Sequence, residues 1–239
     1  MTNNIYDYSY QMRRNLQKKI GFIFIFLLVI FILVAITSSF FIFSKFIKSD
    51  SMSPTLEKNN IVFISPFASP SNPIFSDKNI FERGQLVQIK PLETTEISFF
   101  KQILDKIVLF FTFQKVAPFS DSTNMTHSSL IRRVIGLPGD TVYVKNCVVY
   151  VKPADSSHFL TEFEVSQKKY DIISTNSNNE NIDLLKDSKE ITLGNDEYFV
   201  MSDNRVSSID SRLWGAIKSD QIQGKVLLRY FPLNKISGF

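Results

Sequence analysis

Apolar residues fall in one unbroken block near the amino terminus and afterwards in short runs separated by polar turns. Ile20 to Ser44 contains no charged residue. About 25 residues at roughly 1.5 Å each make a helix of about 37 Å, enough to cross a hydrocarbon core with some tilt. A cleaved leader has a shorter apolar stretch followed by a small-residue site, whereas Ser38-Ser39-Phe40-Phe41 leads into further apolar residues, so an uncleaved anchor is predicted. Beyond it, β-branched and aromatic runs predict strands at Asn60–Ser65, Gln85–Lys90, Ser129–Ile135, Thr141–Val151, Glu197–Met201 and Gly224–Phe231. Lys145-Asn146 is read as a two-residue hairpin turn inside the fourth run, and Leu137-Pro138-Gly139-Asp140 as a type II turn.

One segment has helical spacing. Ile97, Phe100, Ile103, Leu104, Ile107, Val108 and Phe111 form a stripe that Lys101, Asp105 and Lys106 prevent from spanning a bilayer. Such a stripe suits a helix on the membrane surface and a helix packed on a β core equally well. Ser166 to Glu190, rich in Asn, Ser, Lys and Asp, reads as a solvated loop. The predicted organisation is a tail at 1–19, an anchor at 20–44, a β core at 45–140 and 191–239, and an inserted hairpin-and-loop subdomain at 141–190. The fold class is mainly β, an antiparallel sheet domain behind one transmembrane helix.

A length of 239 residues accommodates one anchor and one folded unit of roughly 150–200 residues. The net charge of +4 carries no dense basic cluster interleaved with stacking aromatics, which argues against nucleic acid as a partner. Arg13, Arg14, Lys18 and Lys19 precede the apolar block and only Lys45 and Lys48 follow closely, beside Asp50. Cations stay on the cytoplasmic side, so the tail is expected there and the β domain on the outer face of the bilayer. Cys147 is the sole cysteine, and His127 and His158 lie far apart and read as solvated loop residues, so no metal or other cofactor is expected.

Three polar segments stand out: Ser49-Asp50-Ser51-Met52-Ser53-Pro54-Thr55-Leu56 after the anchor, Ile131-Arg132-Arg133-Val134 running into the Pro-Gly turn, and Ser202-Asp203-Asn204-Arg205-Val206-Ser207-Ser208-Ile209-Asp210-Ser211-Arg212-Leu213-Trp214-Gly215. Alone, each is an ordinary turn, strand or salt-bridged loop. In this order behind a single anchor, with Arg83-Gly84-Gln85-Leu86-Val87 between the first two, they resemble the sequence boxes of bacterial type I signal peptidases. The resemblance covers most of the chain after residue 45 and is weakest at 66–82, 92–128 and 152–190.

That resemblance implies a serine endopeptidase of the bacterial cytoplasmic membrane that removes signal peptides from preproteins. It implies Ser51 as the nucleophile, Ser49 as a hydroxyl donor to the oxyanion, Ser208 as the residue orienting the base, and ion pairs among Arg133, Asp203, Asp210 and Arg212. The family's base is a Lys directly before an Arg, and this chain has Arg132 there. A buried Lys can lose its proton near neutral pH. A guanidinium holds its proton far above that range, and losing it at pH 8 would cost about 8 kcal/mol, which burial is not expected to supply. The chain departs again at Ser202, where the family usually has Gly, and at Val206, where a polar residue is common. Another base, slow cleavage, or a non-cleaving relative that still binds signal peptides all fit these departures, as does a tethered β domain that keeps the motifs only as turns and salt bridges. His127 would reach the site only if the chain turned back, being five residues before Arg132 on the opposite side of a regular strand.

Overall fold

The computed structural model describes residues 3–40, 42–66, 81–90, 104, 108, 130–145, 148–174, 187–206 and 209–239. The chain divides into Met1–Phe40 and Phe41–Phe239. The first unit is a single helix, α1 (Asn3–Phe40), within which Met12–Leu33 is long and apolar enough to cross a membrane. The apolar run does not end where the helix ends. Helix runs through the stretch read as the tail from Asn3 onward, and residue 44, the expected end of the anchor, belongs to strand β1 (Phe43–Phe46), because the apolar residues that finish the run are used by a sheet.

The second unit is built on two antiparallel sheets. The larger runs β1, β2 (Ile61–Ser65), β11 (Ile222–Phe231), β3 (Leu86–Ile89), β4 (Leu130–Gly136), β9 (Glu197–Met201), β10 (Ile217–Lys218), with β12 (Ser237–Gly238) on β11. The smaller runs β7 (Leu160–Thr161), β6 (Val148–Lys152), β5 (Thr141–Lys145), β8 (Ile191–Thr192). The period-two pattern explains the smaller sheet's packing: Val142, Val144, Val149 and Val151 are buried with Leu193 and Phe199. On its other face Tyr143 and Tyr150, directly paired, stack at 4.9 Å. Lys145, read from the sequence as a turn residue, is instead the last residue of β5 and pairs with Val148.

The turn after β4 follows its chemistry: Asp140 N–H donates to Leu137 carbonyl at 3.0 Å and Gly139 has φ +85°. β4 lies between β3 and β9, with Arg133 paired to Leu86 on one side and Met201 on the other. A strand that is central and buried along its length still carries two adjacent arginines, 2% and 3% exposed. The described residues of the stretch read as a solvated loop, 166–174 and 187–190, are only partly solvated. Tyr170 packs on the core of the smaller sheet, and Ile173 makes a parallel bridge to Asn204. The amphipathic segment at 97–116 lies outside the described residues apart from 104 and 108, as do His127, Cys147 and Ser208.

Candidate active site

Residues 47–60 form a closed loop between β1 and β2. Ile47 N–H donates to Asn60 carbonyl and Asn59 N–H to Ile47 carbonyl, both at 2.9 Å. Asp50 accepts from Lys58 N–H with its carboxylate and from Ser53 N–H with its carbonyl. Met52 and Leu56 are fully buried in the core beneath, so the turn is pinned from below and Ser51 sits half-buried at its crest. The loop at 202–206 holds it from the side: Asn204 N–H donates to Ser51 carbonyl at 3.0 Å, and Asn204 Nδ2 to Asp50 carbonyl at 3.3 Å.

Ser51 Oγ is 3.1 Å from Ser49 Oγ and accepts a hydrogen bond from Arg132 Nη1 at 3.2 Å. The remaining contacts of Arg132 are also donations: Nη1 to Ile131 carbonyl at 2.6 Å, and Nε and Nη2 to Ile209 carbonyl at 3.0 and 2.7 Å. No carboxylate is among these partners. Burial therefore lowers the Arg132 pKa to about 10, with Arg212 assisting and the fields of Asp210 and Asp203 opposing. Deprotonation therefore costs less here than it would for an exposed guanidinium.

Arg133, facing the other side of β4, has the opposite surroundings. It grips Asp203 with Nε at 2.7 Å and Nη2 at 2.5 Å, donates to Thr55 Oγ1 at 3.0 Å and Gly84 carbonyl at 2.6 Å, and lies 4.0 Å over the Tyr170 ring. Asp203 also accepts from Thr55 Oγ1, which ties the serine loop to the 202–206 loop. Asp210 and Arg212 pair with each other at 2.8 Å within their own loop, and Asp210 caps the short helix Ser211–Trp214. Of the two ion pairs, Arg133–Asp203 alone joins loop to strand. Ser202 gives its hydroxyl to Asp210 at 2.7 Å and its N–H at 3.1 Å, a use for the side chain that a Gly lacks, and Val206 is buried. The structure thus gathers Ser49, Ser51 and Arg132 at one point and Arg133, Asp203, Asp210 and Arg212 around it, while Ser208 is outside the described residues.

The signal peptidase, peptidase S26 family matches over residues 20–231. This chain belongs to that family of serine endopeptidases. Signal peptidase I P of Bacillus subtilis subsp. natto is 27% identical over 211 residues, 88% of this chain and 88% of that protein. Probable signal peptidase I-1 of Synechocystis is 25% identical over 211 residues, 87% and 82%. Signal peptidase IB of Staphylococcus aureus is 32% identical over 105 residues, 44% and 54%. A crystal structure of a signal peptidase I from Enterococcus faecalis V583 matches with TM-score 0.33 and 19% identity, covering 61% of this chain and 95% of that one.

Residues that sequence reasoning passed over complete the surroundings. Glu162 and Arg205 form an ion pair, 1% and 0% exposed, with Tyr170 hydroxyl donating to Glu162 at 2.9 Å. Arg205 sits inside the polar loop singled out above, whereas Glu162 falls in a stretch without pattern, and nothing local marks a Glu as buried.

Proposed function

We propose that this chain is a membrane-anchored serine endopeptidase that removes signal peptides from preproteins, with Ser51 as nucleophile and a rate that climbs with pH. The observation that carries it is the contact of Ser51 Oγ with both Ser49 Oγ and Arg132 Nη1, at 3.1 and 3.2 Å. The names of the similar proteins point to the same reaction. Ser51 Oγ attacks the scissile carbonyl carbon, and Ser49 hydroxyl helps to stabilise the oxyanion, an interaction worth on the order of 3 kcal/mol in a dry site. The Ser51 proton passes to the neutral form of Arg132, which later returns it to the leaving amine. Burial lowers the Arg132 pKa, so the neutral form that can take the proton grows as pH rises. β1 ends the larger sheet and leads into Ser49 and Ser51, so an extended peptide adding beside it would bring its carbonyl to the serine.

A second reading has an observation of its own: every hydrogen bond of Arg132 among the described residues is a donation, and a permanently charged guanidinium would leave a binding protein that grips signal peptides without cutting them. Incubating the detergent-solubilised chain with a preprotein between pH 7 and 10 separates the two. Cleavage that rises nearly tenfold per pH unit, is abolished in Ser51→Ala and is faster at pH 7 in Arg132→Lys is the expected outcome. No cleavage by the native chain at any pH, with cleavage appearing in Arg132→Lys, establishes the binding protein. Cleavage that persists in Ser51→Ala removes Ser51 as the nucleophile.

A further inference from the structure

The Glu162–Arg205 pair is far from the surface and holds together two parts of the fold that the sequence separates. Glu162 begins the short helix Glu162–Val165 directly after β7, at the edge of the smaller sheet, while Arg205 belongs to the loop between β9 and the helix Ser211–Trp214. The pairing is two-pronged, Nη1 to Oε1 at 2.9 Å and Nη2 to Oε2 at 2.5 Å, and burial, which opposes the charge on Arg205, is outweighed by Glu162, so its pKa is raised.

From Arg205 the order runs to the serine. Its Nε donates to Ser202 carbonyl at 2.7 Å and its N–H to Ile173 carbonyl at 2.8 Å, while Ile173 N–H returns to Asp203 carbonyl at 2.9 Å. Residues 202–205 are thereby fixed from both sides. That stretch supplies Asn204 N–H to Ser51 carbonyl, the Asp203 carboxylate to Arg133, and Ser202 hydroxyl to Asp210, the cap of the helix bearing Trp214. Tyr170, which donates to Glu162, also lies under the Arg133 guanidinium, closing the circuit.

We propose that Glu162, from the inserted subdomain, is a positioning residue for the reaction: by clamping Arg205 it sets the 202–205 loop that holds Ser51. Glu162 touches neither Ser51 nor Arg132. Removing its charge leaves Arg205 buried without a counter-ion, and the loop moves before the sheets come apart. The inference rests on Ser51 acting as nucleophile, so the test carries a readout that does not need activity. Trp214 is the single tryptophan, and the Arg132 guanidinium lies 6.0 Å from its ring.

Glu162→Gln, in the full chain and again in the Arg132→Lys background, is expected to lower kcat tenfold or more with KM changed less than about twofold. Trp214 emission is expected to shift at temperatures where circular dichroism is still native. Glu162→Asp, which keeps the charge, is expected to recover most of both. Unchanged kcat and unchanged emission in a folded Glu162→Gln chain overturn the proposal, as does a rise in KM alone. If neither background cleaves any preprotein, the peptidase reading fails and the Trp214 emission decides the coupling by itself. If Glu162→Gln does not fold, Glu162→Asp is judged on the same two readouts against the native chain.

Discussion

Arg132 and Arg133 are neighbours on one strand and equally buried, and their difference comes entirely from what faces them. Arg133 meets a carboxylate, a hydroxyl, a carbonyl and an aromatic face. Asp203→Asn removes the carboxylate paired with it, and breaking a buried pair from one side costs about 3–5 kcal/mol. The unfolding free energy of Asp203→Asn from urea denaturation is expected to fall by that amount; a loss under about 1 kcal/mol contradicts the buried pair. Asp210 gives a pH signature. Burial acts to raise its pKa, but Arg212 and Ser202 outweigh burial and hold it below the usual carboxylate range. Because the folded value is depressed, the stabilisation is complete above the unfolded pKa of about 3.9 and is lost as pH falls through the folded value. Melting temperature is therefore expected to be steady above pH 5 and to drop below pH 4, with a shallower drop in Asp210→Asn. These carboxylates were legible because they sit in one dense polar loop. Glu162 was not, since its partner is 43 residues away and only the fold brings the two together.

Strands were readable where alternation and turn residues agree, and misplaced where only one signal speaks. The Pro138-Gly139 turn has both: Pro before Gly in the sequence and a left-handed Gly139 in the structure. A Cβ at Gly139 would lie 3.2 Å from Ala154 Cβ, and the conformation itself disfavours a side chain by roughly 1–2 kcal/mol. Gly139→Ala is expected to lower the unfolding free energy in urea by that amount with an unchanged slope; a neutral effect would show that the turn relaxes freely. The hairpin of β5 and β6 has no Gly to mark its turn, and Lys145 reads as part of that turn although it continues the pairing, as Val, Tyr and Lys side chains do equally well. The end of α1 was misjudged for a similar reason: phenylalanine and isoleucine serve helix and strand alike, so hydrophobicity alone leaves residues 41–44 undivided. Short strands β7, β8, β10 and β12, two residues each, were invisible because they are defined by their neighbours rather than by a pattern of their own.

For the molecule as a whole, the question is which side of a membrane the β domain occupies. Within α1, Met12–Leu33 is exposed along its described side chains, as suits a segment surrounded by lipid, and Arg13, Arg14, Lys18 and Lys19 lie toward its amino end. Four cations ahead of the apolar stretch against two behind it favour retention of the amino terminus in the cytoplasm. A peptidase and a preprotein tethered to one bilayer meet at a raised effective concentration without any new contact. The orientation has a direct test in a Cys147→Ser chain carrying one new cysteine at Tyr8 or at the exposed Lys58. In intact spheroplasts a membrane-impermeant maleimide is expected to label Lys58→Cys, and to label Tyr8→Cys only after lysis. Labelling of Tyr8→Cys from outside, with Lys58→Cys protected until lysis, would reverse the topology and put Ser51 on the side of the membrane that exported preproteins leave.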